Sequence, residues 1–265
     1  MNIDHSQPLI SVVTVSYNAV STIEDTILSV VNQTYKNIEY IIIDGGSTDG
    51  TVDVIKKYAD KISYWVSEPD KGIYDAMNKG IDRATGKWIN FMNSGDVFYS
   101  DGVIEKIVEQ ASVGIAVIYG NVILKYSWGD VVKKALPIHV MNRRFPFSHQ
   151  SCFINIVFMK ELKYDTSFKI CADYNFFYKL YYEKKCYFLY VDSIVSVFES
   201  EQGVSSVNYL KMKTEDGRIQ KKTHQIKWKL YITFLSIYLK ITSNVKSVMP
   251  KNILVYYHKS RYGKI

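Results

Sequence analysis

Residues 10–50 read ISVVTVSYNAVSTIEDTILSVVNQTYKNIEYIIIDGGSTDG, and two hydrophobic periods alternate in them. Ile10 to Ser16 is a β-branched run, the pattern of a buried strand. Ser21-Thr-Ile-Glu24 has the spacing of a capping box and predicts a helix opening there. Glu39 to Ile43 is the next strand, Asp44 to Gly50 a Gly-, Ser- and Asp-rich turn, and Thr51 to Ala59 has helical spacing with Val52, Ile55 and Tyr58 on one side. The alternation continues outward through a strand at Ile62 to Ser67, a helix at Ile73 to Ala84 and a strand at Lys87 to Met92. A helix capped by Ser100 then runs to about Gln110. Strands and helices alternating at this spacing predict an α/β fold, with a mostly parallel sheet covered by helices on both faces.

Past Ile115 the pattern loosens. Val122 to Tyr126 and Val131 to Leu136 flank a Trp128-Gly-Asp130 turn like a hairpin, Ala172 to Lys185 reads as an aromatic-rich helix, and Cys186 to Val191 and Ile194 to Phe198 read as two further strands. Glu199 to Gly203 is the boundary before a different kind of sequence. The chain has 265 residues, 47% of them hydrophobic, and a formal net charge of +7. That charge is uneven: residues 204–265 hold 13 basic side chains against Glu215 and Asp216 alone, a net +11, which leaves the first 203 residues at −4. The expected organisation is a main α/β domain over 1–205 and a basic, largely helical extension over 206–265.

Several classes are excluded by composition. Cys152, Cys171 and Cys186 form no CxxC pair, so neither a disulfide framework nor a tetrahedral zinc set is expected, and a reducing, cytoplasmic compartment is the simple reading. The opening MNIDHSQPLI lacks the basic start and apolar run of an export signal. The longest apolar window, Leu230 to Leu239, is about half the roughly 20 residues of a spanning helix. No GxxxxGK[ST] and no GxGxxG follows any strand.

Acidic or polar clusters follow three of the four early strands directly: Asp44, Glu68-Pro-Asp70 and Asn93-Ser-Gly-Asp96. In a parallel sheet these points converge on one edge, where ligands bind beyond the strands' carboxyl ends. Carboxylates there can accept from a nucleobase or hold a divalent cation, and a neighbouring Gly lets backbone N–H groups approach a phosphate. Any one cluster is also ordinary turn composition; three at one edge favour a site.

The chain resembles the family 2 glycosyltransferases of the GT-A fold, Rossmann-related enzymes of bacterial polysaccharide and O-antigen type. The matching blocks are Pro8 to Asn18, Ser29 to Tyr35, Ile43 to Thr51, Ser67 to Gly80 and Ala84 to Asp96, with a looser match through Ser148-His-Gln150, Cys171-Ala-Asp-Tyr174 and Gln202 to Ser206. The resemblance implies an inverting transfer of a hexose or N-acetylhexosamine from a UDP-sugar to a saccharide acceptor. It implies that Asp44 accepts from the uracil, with the Thr14, Ser16 and Tyr17 backbone beside the base, that Asp70 lines the uridine pocket, and that Lys71, Asn78, Asn93 and Ser94 belong to the substrate-binding set. Asp96 would help bind Mg²⁺ or Mn²⁺ on the diphosphate, and Asp173 would be the general base. Two departures stand out. The 93–96 block has one carboxylate where the family usually has two or three, and Met77 precedes Asn78 where the family often has Arg, leaving Lys71, Lys79 and Arg83 as candidates for the missing positive charge.

Some residues keep two readings. Asp173 opens a helix, where an acid is stabilised by the macrodipole alone. His149 is either a structural residue or a catalytic, phosphate or metal contact. Trp65 and Trp128 read as packing, with sugar stacking the alternative for Trp128; His5, His139, His224 and His258 show no site spacing. If Lys227 to Lys240 is helical, then Lys229, Thr233, Ser236 and Lys240 form one polar stripe and the remainder is apolar. Such a helix either lies on an anionic membrane surface, at the inner face of the cell membrane beside a lipid-diphosphate-linked acceptor, or packs on the catalytic domain or another subunit, so an oligomer stays open. Nucleic-acid binding is not expected, since the tail carries no recognisable motif for it. A nucleotide-sugar-binding protein with impaired catalysis is the competing function, motivated by the depleted metal block.

Overall fold

The computed structural model describes residues 7–200 and 208–247. His5, His258, the Gln202 to Ser206 match, the 205/206 boundary and the basic residues from Lys251 onward lie outside the described residues. The elements that build the first half are β1 (Ile10–Ser16), α1 (Ile23–Val31), β2 (Ile38–Asp44), α2 (Thr51–Lys57), β3 (Tyr64–Ser67), α3 (Ile73–Arg83), β4 (Trp88–Phe91), β5 (Val97–Phe98) and α4 (Val103–Val108). The second half is β6 (Ile115–Tyr126), β7 (Gly129–Lys133), β8 (Cys152–Asn155), α5 (Ile156–Leu162), α6 (Ala172–Tyr178), β9 (Tyr187–Glu199), α7 (Tyr209–Ile219) and α8 (Ile226–Ser247).

The strands form one sheet in the order β3-β2-β1-β4-β8-β6-β9-β5, with β7 paired to β6. The half built by β3, β2, β1 and β4 is parallel throughout. Beyond it β8 runs antiparallel to both β4 and β6, while β6 and β9 are parallel. Alternation places Val13, Val15, Ile41 and Ile43 on the face covered by α3 and α6. Val12, Tyr40 and Ile42 lie on the opposite face, against Ile23, Ile27 and Val30 of α1 and Ile104 and Ile107 of α4. Gly80 brings α3 close to the sheet: a Cβ there would stand 2.4 Å from Val13 Cγ1.

Local departures have physical causes. Ser21 and Glu24 make no capping box. The helix starts at Ile23 with Thr22 as an N-cap whose side chain makes no capping bond, and Glu24 instead accepts from Lys57, the last residue of α2, and from Tyr58 just past it, each at 2.6 Å. Ser100 precedes the N-cap Gly102, and its carbonyl accepts from Gln33 Nε2 at 2.9 Å. The strands expected at 186–191 and 194–198 are one strand, β9, whose register against β6 is irregular around Asn121. The helix expected over 172–185 is α-helical to Tyr178 and finishes as a π turn over Lys179–Glu183.

Candidate active site

The parallel strands end together, so Ser16, Asp44, Ser67 and Asn93 come to one edge. Asp44 is fully buried. Its Oδ1 accepts from Ser16 Oγ at 2.8 Å and Ser47 Oγ at 2.6 Å, and its Oδ2 from Ser67 Oγ at 2.7 Å, Ser47 N at 2.8 Å and Gly46 N at 3.1 Å. Burial pushes its pKa up, but the bonds from Ser47, Ser67 and Ser16 outweigh it and hold the carboxyl below its ordinary value. Five donors leave no open face toward a nucleobase. Asp44 therefore ties the ends of β1, β2 and β3 into one loop platform, which departs from the base-accepting role the resemblance implies. Thr14 is also buried, donating to Met92 O at 2.7 Å beside the Tyr40 hydroxyl at 3.0 Å.

The next residue along this edge is also buried, but it makes room for a neighbour. Gly45 has no side chain, and a Cβ there would meet Asp70 Oδ2 at 2.4 Å and the Tyr17 ring at 3.3 Å. Asp70 thus fills the space a residue at 45 would occupy, beside the exposed ring of Tyr17. Its Oδ1 accepts from Gly72 N at 2.7 Å, which fixes the carboxylate. Lys71 is exposed. Asn78 spends its amide on both backbone groups of Tyr164, at 2.9 Å each, and so anchors the 164 segment to α3.

The third cluster gathers residues from distant parts of the chain. His149 Nδ1 lies 3.2 Å from Asp173 Oδ2, and His149 Nε2 lies 3.1 Å from Asn93 Nδ2. Asp173 Oδ1 also accepts from Tyr174 N at 2.8 Å and faces the Tyr74 hydroxyl at 3.1 Å. Neutral His149 satisfies this set with its proton on Nδ1, donating to Asp173 and accepting from Asn93. Burial lowers the His149 pKa, but its bond and charge contact with Asp173 and the charge of Asp96 raise it above the ordinary value. Burial also pushes the Asp96 carboxyl up to about 6, against the opposing pull of His149, Gln150 and the Asn93 backbone.

Among the described residues no group of three His, Cys, Asp or Glu side chains forms a metal cage. The 93–96 block nevertheless has donors of the right kind. Asn93 Oδ1 and Ser94 Oγ are buried without a hydrogen-bond partner, three and two residues before the buried carboxylate of Asp96. Hard oxygen donors of this kind fit Mg²⁺ or Mn²⁺ when phosphate oxygens and water complete the shell.

The candidate cations separate. Lys79 pairs with Glu68 at 2.7 Å just past the end of β3, whereas Arg83 stacks at 4.5 Å over the ring of Tyr64, the first residue of β3, so both are engaged and Arg83 lies at the end of the strand away from the site. Sequence reasoning missed Lys133. It sits opposite Val122 in the β6–β7 hairpin, reaches Ser148 Oγ at 3.4 Å, and burial pushes its ammonium below the usual lysine range. A basic residue on a hairpin strand carries no local signal of this. Trp65 packs in the core, and Trp128 stacks on Tyr126 at 4.9 Å.

In the tail, α8 presents two apolar strips. Leu235 is buried, with Trp228, Ile232 and Leu239 half-buried on the same side, and Trp228 packs on Gly217 of α7. Ile226, Leu230, Phe234, Ile237 and Ile241 lie on another side and are 53% to 74% exposed. No helix among the described residues is long and apolar enough to cross a membrane.

The model of glycosyl transferase family 2 matches residues 11–173. An uncharacterized glycosyltransferase of Mycobacterium tuberculosis is 34% identical over 185 residues, which cover 64% of this chain and 68% of the relative. Among solved structures, S. aureus TarS in complex with UDP-GlcNAc superposes with a TM-score of 0.61 at 15% identity, covering 80% of this chain and 66% of that one. In a longer TarS structure the match covers 79% of this chain and 39% of the TarS chain. The mannosyltransferase PcManGT from Pyrobaculum calidifontis, in complex with GDP-Man and Mn²⁺, gives a TM-score of 0.61 at 12% identity, covering 98% of this chain and 89% of that one. These likenesses give the fold as GT-A-like.

Proposed function

The chain belongs to glycosyl transferase family 2, and from that premise we propose that it is an inverting enzyme moving a hexose or N-acetylhexosamine from a UDP-sugar to a saccharide hydroxyl. The observation that carries the reading is the link from Asp173 through His149 to Asn93, which joins the expected base to the diphosphate-side block. In the proposed reaction Asp173 takes the proton of the acceptor hydroxyl as that oxygen attacks the anomeric carbon. The bond from that carbon to the β-phosphate oxygen breaks, and its electron pair leaves with UDP. One in-line displacement inverts the anomeric configuration. His149 orients the Asp173 carboxylate through Nδ1, and the Tyr174 N–H steadies its other oxygen.

At the donor end, Asp70 accepts the uracil N3–H and Tyr17 lies against the ring, while Asp44 holds the loop that carries them. Cytosine presents a lone pair at N3, which a carboxylate repels. Asp96, with Asn93 and Ser94, would hold Mg²⁺ or Mn²⁺, which when bound offsets charge on the leaving diphosphate.

We place the enzyme peripherally at the cytoplasmic face of the cell membrane, acting on a lipid-diphosphate-linked saccharide during surface-polysaccharide synthesis. The exposed apolar strip of α8 supports this, because the helix carries Lys227, Lys229, Lys240 and Lys246 and no acidic residue. Two copies of such a helix would repel, whereas an anionic bilayer complements both its charge and its apolar side.

The test is a donor screen with Mn²⁺ over UDP-glucose, UDP-galactose and their N-acetyl forms, read as released UDP. Release from one donor is the expected result. UDP binding with no turnover of any donor favours the second reading, a nucleotide-sugar-binding protein, which the single carboxylate of the 93–96 block motivates.

A further inference from the structure

Glu215, one of only two acidic residues in the basic tail, is buried against the catalytic fold. Its Oε1 accepts from Lys169 N at 2.8 Å, and its Oε2 from Ile170 N and Cys171 N at 2.9 Å each. Cys171 is the N-cap of α6, and Asp173 is the second residue of that helix. The same segment is gripped from the opposite side: Ile170 O accepts from the Tyr74 hydroxyl, which also faces Asp173 Oδ1. Ile170 is therefore held through its N–H by the tail and through its carbonyl by α3.

The neighbouring contacts fix α7 in place over this segment. Arg218 stacks over the Phe168 ring at 4.2 Å, and Gln220 Nε2 donates to the Tyr174 hydroxyl at 2.8 Å, one residue past Asp173. Three consecutive N–H groups converging on one buried carboxylate define a backbone position more tightly than side-chain packing does, because each bond is charge-assisted and directional. Residues 163–171 contain no helix or strand, and the N–H groups of the last three of them all go to Glu215.

We propose that Glu215 is a positioning residue for transfer: by clamping the amides of 169–171, the C-terminal extension sets the location of the Asp173 carboxylate. The proposal rests on Asp173 being the base. A displaced base loses turnover without loss of donor affinity, since the nucleotide is held at the β1–β3 edge.

The experiment uses the full chain with the donor found by the screen. Glu215→Gln keeps the side-chain shape but sets an N–H₂ against backbone donors. At a temperature where circular dichroism shows the variant folded, kcat should fall about tenfold or more while donor KM and UDP affinity stay within about twofold. Because the effect runs through Asp173, the Asp173→Asn, Glu215→Gln double variant should be no slower than Asp173→Asn alone. If E215Q does not fold, E215D takes its place in the same cycle. A lowered Tm with unchanged kcat, or a double variant slower by the product of the two effects, overturns the proposal. If D173N itself turns over normally, the base reading fails and the positioning role falls with it. An inactive D173N beside a fully active E215Q removes only the positioning role.

Discussion

Gly45 and Asp70 share one small volume: a Cβ at position 45 would stand 2.4 Å from Asp70 Oδ2. The missing side chain lets a carboxylate from the loop after β3 reach the end of β2, next to Tyr17. The adjacent Asp44 is committed to internal bonds and supports the platform on which that pair sits.

This arrangement predicts how base selectivity changes. Asp70→Asn exchanges an acceptor-only group for one that also donates, so UDP affinity should fall about tenfold and CDP affinity should rise toward it. Gly45→Ala should displace Asp70 and weaken UDP binding without favouring CDP. Calorimetric titration with UDP, CDP and GDP checks both. Unchanged UDP selectivity in D70N would remove Asp70 from the base contact, and preference for GDP in the native protein would exclude a uridine donor.

Asp44 gives a prediction about stability. Burial raises its folded-state pKa but the bonds from Ser47, Ser67 and Ser16 hold it below the ordinary value, so its contribution is fully present above the unfolded carboxylate value of about 4 and is lost as pH falls through the folded value. Asp44→Asn should cost about 3 kcal/mol at neutral pH, because buried hydroxyl and amide donors lose their acceptor. It should also flatten the acid limb of the stability curve. Urea unfolding from pH 7 down to pH 3 measures both; a D44N variant with native stability and an unaltered acid limb would contradict this account.

Much of the fold was legible because β-branched runs and helical spacing were separated by turn residues, as in Ile10 to Gly50. Convergence of Asp44, Asp70 and Asn93 on one edge followed from parallel pairing alone. The division of labour between Asp44 and Asp70 was not legible, since it depends on which carboxylate is saturated by Ser16, Ser47 and Ser67 in three dimensions. His149 and Asp173 were singled out separately, but no local pattern carries their contact. Glu215 was hidden for the same reason: its partners are backbone amides more than 40 positions away.

The tail also yields a prediction. Removing everything after Tyr209 takes Glu215 away along with α8, so a truncation meant to test placement belongs after Gln220. The exposed strip predicts that Phe234→Glu with Ile237→Glu reduces sedimentation with vesicles containing anionic phospholipid, and that native binding weakens in vesicles without it. Each basic residue near the surface contributes roughly 1 kcal/mol to such binding. Equal binding by the native and double-Glu proteins would reject this surface, and a native dimer that the substitutions dissociate would assign it to another subunit.

The central claim is that Asp173 removes the acceptor proton. Its most direct test is donor turnover by Asp173→Asn beside the native protein, with UDP affinity measured on the same samples. Turnover should fall about 10²- to 10⁴-fold while UDP affinity stays within about twofold of native. Native turnover in D173N would contradict it.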